Sequence, residues 1–97
     1  MDHVKLIWSE RALKEYEDLL DYLMEKWGEK ITRQVIAEVT HQIIRIETTP
    51  EQFPIIVKRR NIRRCVISPQ TSIFFKASKN VCEIYSIFDN RQDPAKR

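Results

Sequence analysis

Apolar residues recur along the chain with two periods, and the change of period marks the change between helix and strand. At the N-terminus "VKLIW" alternates Val4, Leu6 and Trp8 with Lys5 and Ile7, which predicts a strand. Ser9 follows as a helix N-cap, with Glu10 in the first turn to meet the helix dipole. Ala12, Tyr16, Leu19, Leu20, Leu23 and Trp27 then recur at spacings of three and four, while Glu15, Glu17, Asp18, Asp21 and Glu25 fall between them. That pattern predicts an amphipathic helix of about five turns. Gly28 stands where this helix should stop, as a left-handed C-terminal cap.

The helical period resumes with Ile31, Val35, Val39, Ile43 and Ile46, joined by Ile36 and Ile44, and a second helix is expected to run to about Thr48, before Pro50. With so short a connection the two helices must fold back as a hairpin. "TTPEQFPIIVKRRN" reads as a linker bracketed by Pro50 and Pro54, with Phe53 and Ile55 tucked beneath it. Three strand-like runs follow at 62–67, 72–77 and 81–88, separated by the short turns "SPQT" and "SKN", which predicts an antiparallel meander. The order β-α-α-β-β-β makes an α+β fold, a helical hairpin packed on one face of a small, mostly antiparallel sheet. At 97 residues the chain suffices for one core, so residues 1–97 read as a single domain.

Composition narrows the function. No long apolar run and no signal-peptide pattern is present, so a soluble, cytoplasmic protein without membrane contact is expected. Cys65 and Cys82 lie in separate apolar runs without metal-ligand spacing and read as small buried hydrophobes; His3 and His41 are far apart and read as surface imidazoles. No metal and no cofactor is expected, and one glycine cannot build a phosphate loop.

Charge is unevenly divided: residues 1–57 carry 7 Lys/Arg against 11 Asp/Glu, net −4, and residues 58–97 carry 10 against 3, net +7. The basic half suits an anionic partner, whether phosphate or an acidic protein surface. Its cations are Lys58, Arg59, Arg60, Arg63, Arg64, Lys76, Lys79, Arg91, Lys96 and Arg97. Arg63 and Arg64 are neighbours in a strand and must point to opposite faces. Phe74 and Phe75 alternate faces, and so do Tyr85 and Phe88, leaving one of each pair for the surface. Arg91 admits two readings. Either the last strand presents it to a partner, with Asp89 and Asp93 orienting it and Pro94 ending the ladder, or it is an anchor paired with Asp89 or with the helices.

The helix entry "IWSERALKEYEDLLDYL" and the close "EIYSIFDNRQDP", in this order of elements, resemble the RelE/ParE superfamily of type II toxins over nearly the whole chain. The resemblance implies a toxin neutralised by a cognate antitoxin, with operator DNA bound only indirectly, through that antitoxin. RelE-like members cleave mRNA on the ribosome, and ParE-like members poison DNA gyrase. Matched to the ribonuclease pattern, the catalytic residues are Lys58, Arg60, Arg64 and Arg91; Thr71 and Ser72 stand where a third-strand arginine belongs, and no Tyr or His follows Arg91. The incomplete pattern and the "R-x-D" close at Arg91 and Asp93 place the chain nearer the ParE-like branch. Target contact is then expected through Arg59, Arg60, Arg63, Arg64, Arg91 and Arg97, and antitoxin contact through Tyr16, Leu20, Phe74 and Tyr85. The alternatives are a ribosome-dependent endoribonuclease with a degenerate site and a non-toxic interaction module with a toxin fold.

Overall fold

In a computed structural model that describes residues 5–92, the elements run β1 (Lys5–Trp8), α1 (Glu10–Lys26), α2 (Glu29–Thr48), β2 (Ile55–Val57), β3 (Ile62–Val66), β4 (Thr71–Ala77) and β5 (Val81–Asp89). Short 3-10 turns occupy Pro50–Gln52 and Lys58–Arg60. α1 starts where Ser9 is extended and its Oγ accepts the Ala12 amide at 2.9 Å. Gly28 separates the helices with φ 90° and ψ 173°, a positive-φ conformation open essentially to glycine but not the left-handed helical cap expected. Its amide donates to the Leu23 carbonyl at 2.9 Å, and its carbonyl accepts the Thr32 hydroxyl at 2.9 Å, so one residue closes α1 and opens α2.

The sheet has the order β1-β5-β4-β3-β2, with β1 parallel to β5 and the other pairs antiparallel. The strand β2 corrects the linker expectation: Ile55–Val57 pairs irregularly with Arg63 and Ile62. Three residues between two 3-10 turns are too few to show a period, although the run Ile-Ile-Val is β-branched. Phe53 is buried as expected and meets Phe75 edge-on at 5.5 Å, whereas Ile55 is exposed on the edge strand.

One core lies between the sheet and the helices. Cys65, Ile73, Phe75, Cys82, Ile84 and Ile87 meet Ala12, Leu19 and Leu23 of α1 and Val35, Val39 and Ile46 of α2. Leu20 is only half-buried and outside this cluster; Trp27, Ile36 and Ile44 are exposed. Both cysteines are free and buried, and burial pushes the thiols up, Cys82 to about 11, which keeps them protonated and unreactive. Among the described residues no helix is long and apolar enough to cross a membrane.

Candidate functional site

β1 pairs with β5 only from Val81 to Ile84, opposite Trp8. Beyond that point the freed edge of β5 needs other partners, because unpaired backbone groups are costly when water is excluded. α1 supplies them. The Ser9 amide donates to the Ile84 carbonyl at 3.0 Å, and the Ser9 hydroxyl donates to the Tyr85 carbonyl at 2.9 Å. Glu15 Oε1 accepts the Ile87 amide at 3.0 Å and the Ser86 hydroxyl at 2.7 Å.

On the opposite edge of β5 the register with β4 jumps from Phe75↔Ile84 to Phe74↔Ser86, so Tyr85 is the extra residue of a β-bulge. The bulge inverts the alternation: Cys82 and Ile84 are buried before it, Ile87 and Asp89 after it. Tyr85 and Phe88, expected on opposite faces, therefore share the face opposite the core, which the first turns of α1 border at the β5 edge.

There they line a cavity of about 400 Å³ with Arg11, Glu15, Ile56, Val57, Arg60, Ile62, Phe74 and Ser86. Cations from three elements surround the Tyr85 ring: the Arg11 guanidinium carbon lies 5.4 Å from its centroid, that of Arg60 5.3 Å and Lys76 Nζ 6.0 Å. Asn61 sets the position of Arg60: it takes a left-handed conformation at φ 54° and ψ 41°, closes the 3-10 turn, and donates its side-chain amide to the Ala77 carbonyl at 3.1 Å. Glu15 Oε2 accepts Arg11 Nε at 3.0 Å, and this bond and charge raise the Arg11 pKa still further. Exposed Phe88, Ile56 and Val57 give the site apolar borders. Together these groups can bind an anion with an apolar or planar body. Among the described residues no three His, Cys, Asp or Glu side chains gather to hold a metal ion.

The residues singled out in sequence divide between the two faces. Arg64 pairs with Phe74 on the open face, and its Nε donates to Ser72 Oγ at 3.3 Å. Arg63, placed among the target-binding residues, turns to the helix side instead, where Nη1 donates to the Phe53 carbonyl at 2.6 Å and Nε is buried without a partner among the described residues. Lys58, Arg59 and Arg60 are exposed in the turn, but only Arg60 lines the cavity.

Arg91, placed in both the target-binding and the ribonuclease sets, is also drawn to the helix side, away from Arg60 and Arg64. Its Nε and Nη2 donate to Asp89 at 3.0 and 2.7 Å, and Asp89 Oδ1 also accepts the Arg91 amide at 2.9 Å. Thr71 donates to Asp89 Oδ2 at 2.6 Å, Tyr22 donates to the Arg91 carbonyl at 2.7 Å, and the guanidinium lies over Trp27 at 5.9 Å. The Arg91 side chain keeps 17% of its exposure and that of Asp89 none. Burial pushes the Asp89 pKa up, but the bonds from Arg91 and Thr71 and the guanidinium charge outweigh it and hold it below the ordinary value of 3.8.

Of the expected antitoxin contacts, Phe74 and Tyr85 stand on the open face, while Tyr16 and Leu20 belong to α1, Tyr16 stacked on Trp8 at 5.4 Å. Arg97, Asp93 and Pro94 lie outside the described residues. Sequence reasoning missed Arg11, Glu15 and Phe88 as site residues. The spacing of Arg11 and Glu15 does mark an ion pair on one helix face, but nothing in it shows that this face borders the end of another strand.

The fold recurs among solved structures of low sequence identity. A structure of the chromosomal ParDE toxin–antitoxin system from P. aeruginosa matches with a TM-score of 0.74 at 13% identity, over 90% of this chain and 96% of that one. The YoeB/ParE toxin from Agrobacterium tumefaciens gives 0.63 at 14% identity, over 89% and 98%. The E. coli DinJ–YafQ toxin–antitoxin complex gives 0.63 at 6% identity, over 92% and 94%. No curated protein matches the chain. The model of the ParE toxin of the type II toxin–antitoxin system parDE matches residues 6–94, nearly the entire length, and the chain therefore belongs to the ParE toxin family.

Proposed function

We propose that this toxin inhibits DNA gyrase through the open face of its sheet, and that a cognate antitoxin neutralises it by covering that face with an acidic segment. The observation that carries the reading is the ring of Arg11, Arg60 and Lys76 around Tyr85 in a cavity with apolar borders. Arg64, Phe74 and Phe88 extend the same surface. Such a face binds an acidic protein partner without needing proton transfer. Glu15, the carboxylate of the cavity wall, is already engaged by Arg11, Ser86 and Ile87. In-line RNA cleavage asks for both a base and an acid, and Arg91 lies on the other side of the sheet from Arg60 and Arg64. The antitoxin part of the reading draws on the family and on neighbours solved as toxin–antitoxin complexes.

The test is pulse-labelling of DNA and protein synthesis in the minutes after induction without an antitoxin, followed by supercoiling assays with purified gyrase. Early arrest of DNA synthesis and inhibited supercoiling are expected; early arrest of translation overturns the gyrase reading. One observation favours a second reading, ribosome-dependent mRNA cleavage: a phenol among three cations resembles a phosphate-binding site with a proton donor at its centre. On that reading Tyr85→Phe abolishes cleavage of ribosome-bound mRNA, and absence of cleavage by the unmutated protein removes it.

A further inference from the structure

The bulge and the cation ring meet in one side chain. Glu15 Oε1 is committed to the backbone and hydroxyl of β5, at Ile87 and Ser86, immediately after Tyr85. Glu15 Oε2 is committed to Arg11, one helical turn earlier on α1. A single carboxylate thus ties both the strand segment that turns Tyr85 outward and a cation that lies over its ring. Arg11 otherwise projects largely into solvent, its side chain 60% exposed, and among the described residues Glu15 is its ion-pair partner, with the Tyr85 ring as its other neighbour. Because Glu15 accepts the hydrogen bond from Nε, the two terminal nitrogens of the guanidinium, beside Tyr85, can meet an incoming anion.

We infer that Glu15 is a positioning residue of this toxin: it acts through Arg11, holding the guanidinium over Tyr85 in the orientation that meets the target's anionic group. The inference rests on the open face being the target surface. It makes the acidic residue of a cationic site as necessary as the cations, although by charge alone its removal should improve anion binding. That opposition of sign makes it testable.

Glu15→Gln separates the two commitments. The amide oxygen still accepts from Ser86 and Ile87, so the bulge is kept, but the amide nitrogen cannot accept from Arg11. Arg11→Met removes the same cation from an exposed position without touching the bulge. Each variant and the pair are induced in a host lacking the antitoxin, and the amount of toxin needed to halve growth rate is compared with the melting temperature of the purified protein.

Glu15→Gln is expected to raise that amount about tenfold at unchanged melting temperature. Arg11→Met should match it, and the double variant should be no worse than either. Wild-type potency of Glu15→Gln overturns the inference, as do losses that multiply in the double variant. Should Glu15→Gln melt early, Arg11→Met decides, and its wild-type potency overturns the inference. Arg60→Ala tells the two failures apart. If it keeps full potency, the open-face reading falls and takes the inference with it. If it is weakened while Glu15→Gln is not, only the role of Glu15 falls.

Discussion

Arg91→Ala should unfold this protein more readily, not disarm it selectively. The guanidinium forms a two-point pair with Asp89, whose side chain is fully buried. At an effective dielectric of about 20 such a pair gains roughly 4 kcal/mol of Coulomb energy, set against several kcal/mol of desolvation for each ion. The net worth of the intact pair is therefore small, but removal of one member leaves the other's desolvation uncompensated, typically at a cost of about 3–5 kcal/mol. After Arg91→Ala the carboxylate keeps the residue 91 amide and the Thr71 hydroxyl, which places the cost near the lower end, about 3 kcal/mol. For a domain of this size that is a fall in melting temperature of about 12–24 °C. Thermal unfolding of purified wild type, Arg91→Ala and the double variant Asp89→Asn/Arg91→Met checks it, and the double variant should recover part of the loss because no buried charge remains. Toxicity should fall only as the folded fraction falls. A shift below about 4 °C together with lost toxicity would refute the reasoning and return Arg91 to the target surface.

The same pair predicts an acid limb. Since the folded pKa of Asp89 lies below its ordinary 3.8, its stabilisation is present above that value and is lost as pH falls through the lower folded one. Denaturant midpoints measured down to about pH 2 should drop less steeply for Asp89→Asn than for the wild type. In the core, Leu23→Ala removes a fully buried side chain and should cost about 2–5 kcal/mol, whereas half-buried Leu20→Ala should cost about 1 kcal/mol, both read from denaturant unfolding.

The elements with long periods were legible in the sequence. The α1 stripe at Ala12, Leu19 and Leu23, the Ser9 cap, the α2 stripe and the strand runs needed only local rules, and the α+β architecture followed from their order. Three features escaped because each depends on pairing with another strand and not on the period of its own. β2 is a strand only because β3 lies beside it. The bulge at Tyr85 leaves an unbroken strand-like sequence, so strict alternation put Tyr85 and Phe88 on opposite faces, and the inserted residue brought them together. For Arg63 and Arg64, alternation showed that they part but not which faces the core; the register with Phe75 and Phe74 decides it.

The site was legible as a composition of cations and not as an arrangement, because burial assigns opposite roles to chemically similar pairs. Asp89 and Arg91 lie two residues apart and meet where the core faces of β4 and β5 end, with 0% and 17% of their side chains exposed. Glu15 and Arg11 lie four apart and meet at a helix surface, with 31% and 60% exposed. In the first pair little water screens the charges, so the guanidinium is held as part of the fold and its loss is expressed as instability. In the second, solvent screening leaves a contribution to stability of well under about 1 kcal/mol, so nothing in folding requires that Arg11 be fixed. A pair that contributes little to stability yet holds a cation over the central aromatic ring of a cavity is best explained by what enters that cavity. On this argument the two arginines should separate experimentally, Arg91 variants losing stability before potency and Arg11 variants losing potency alone.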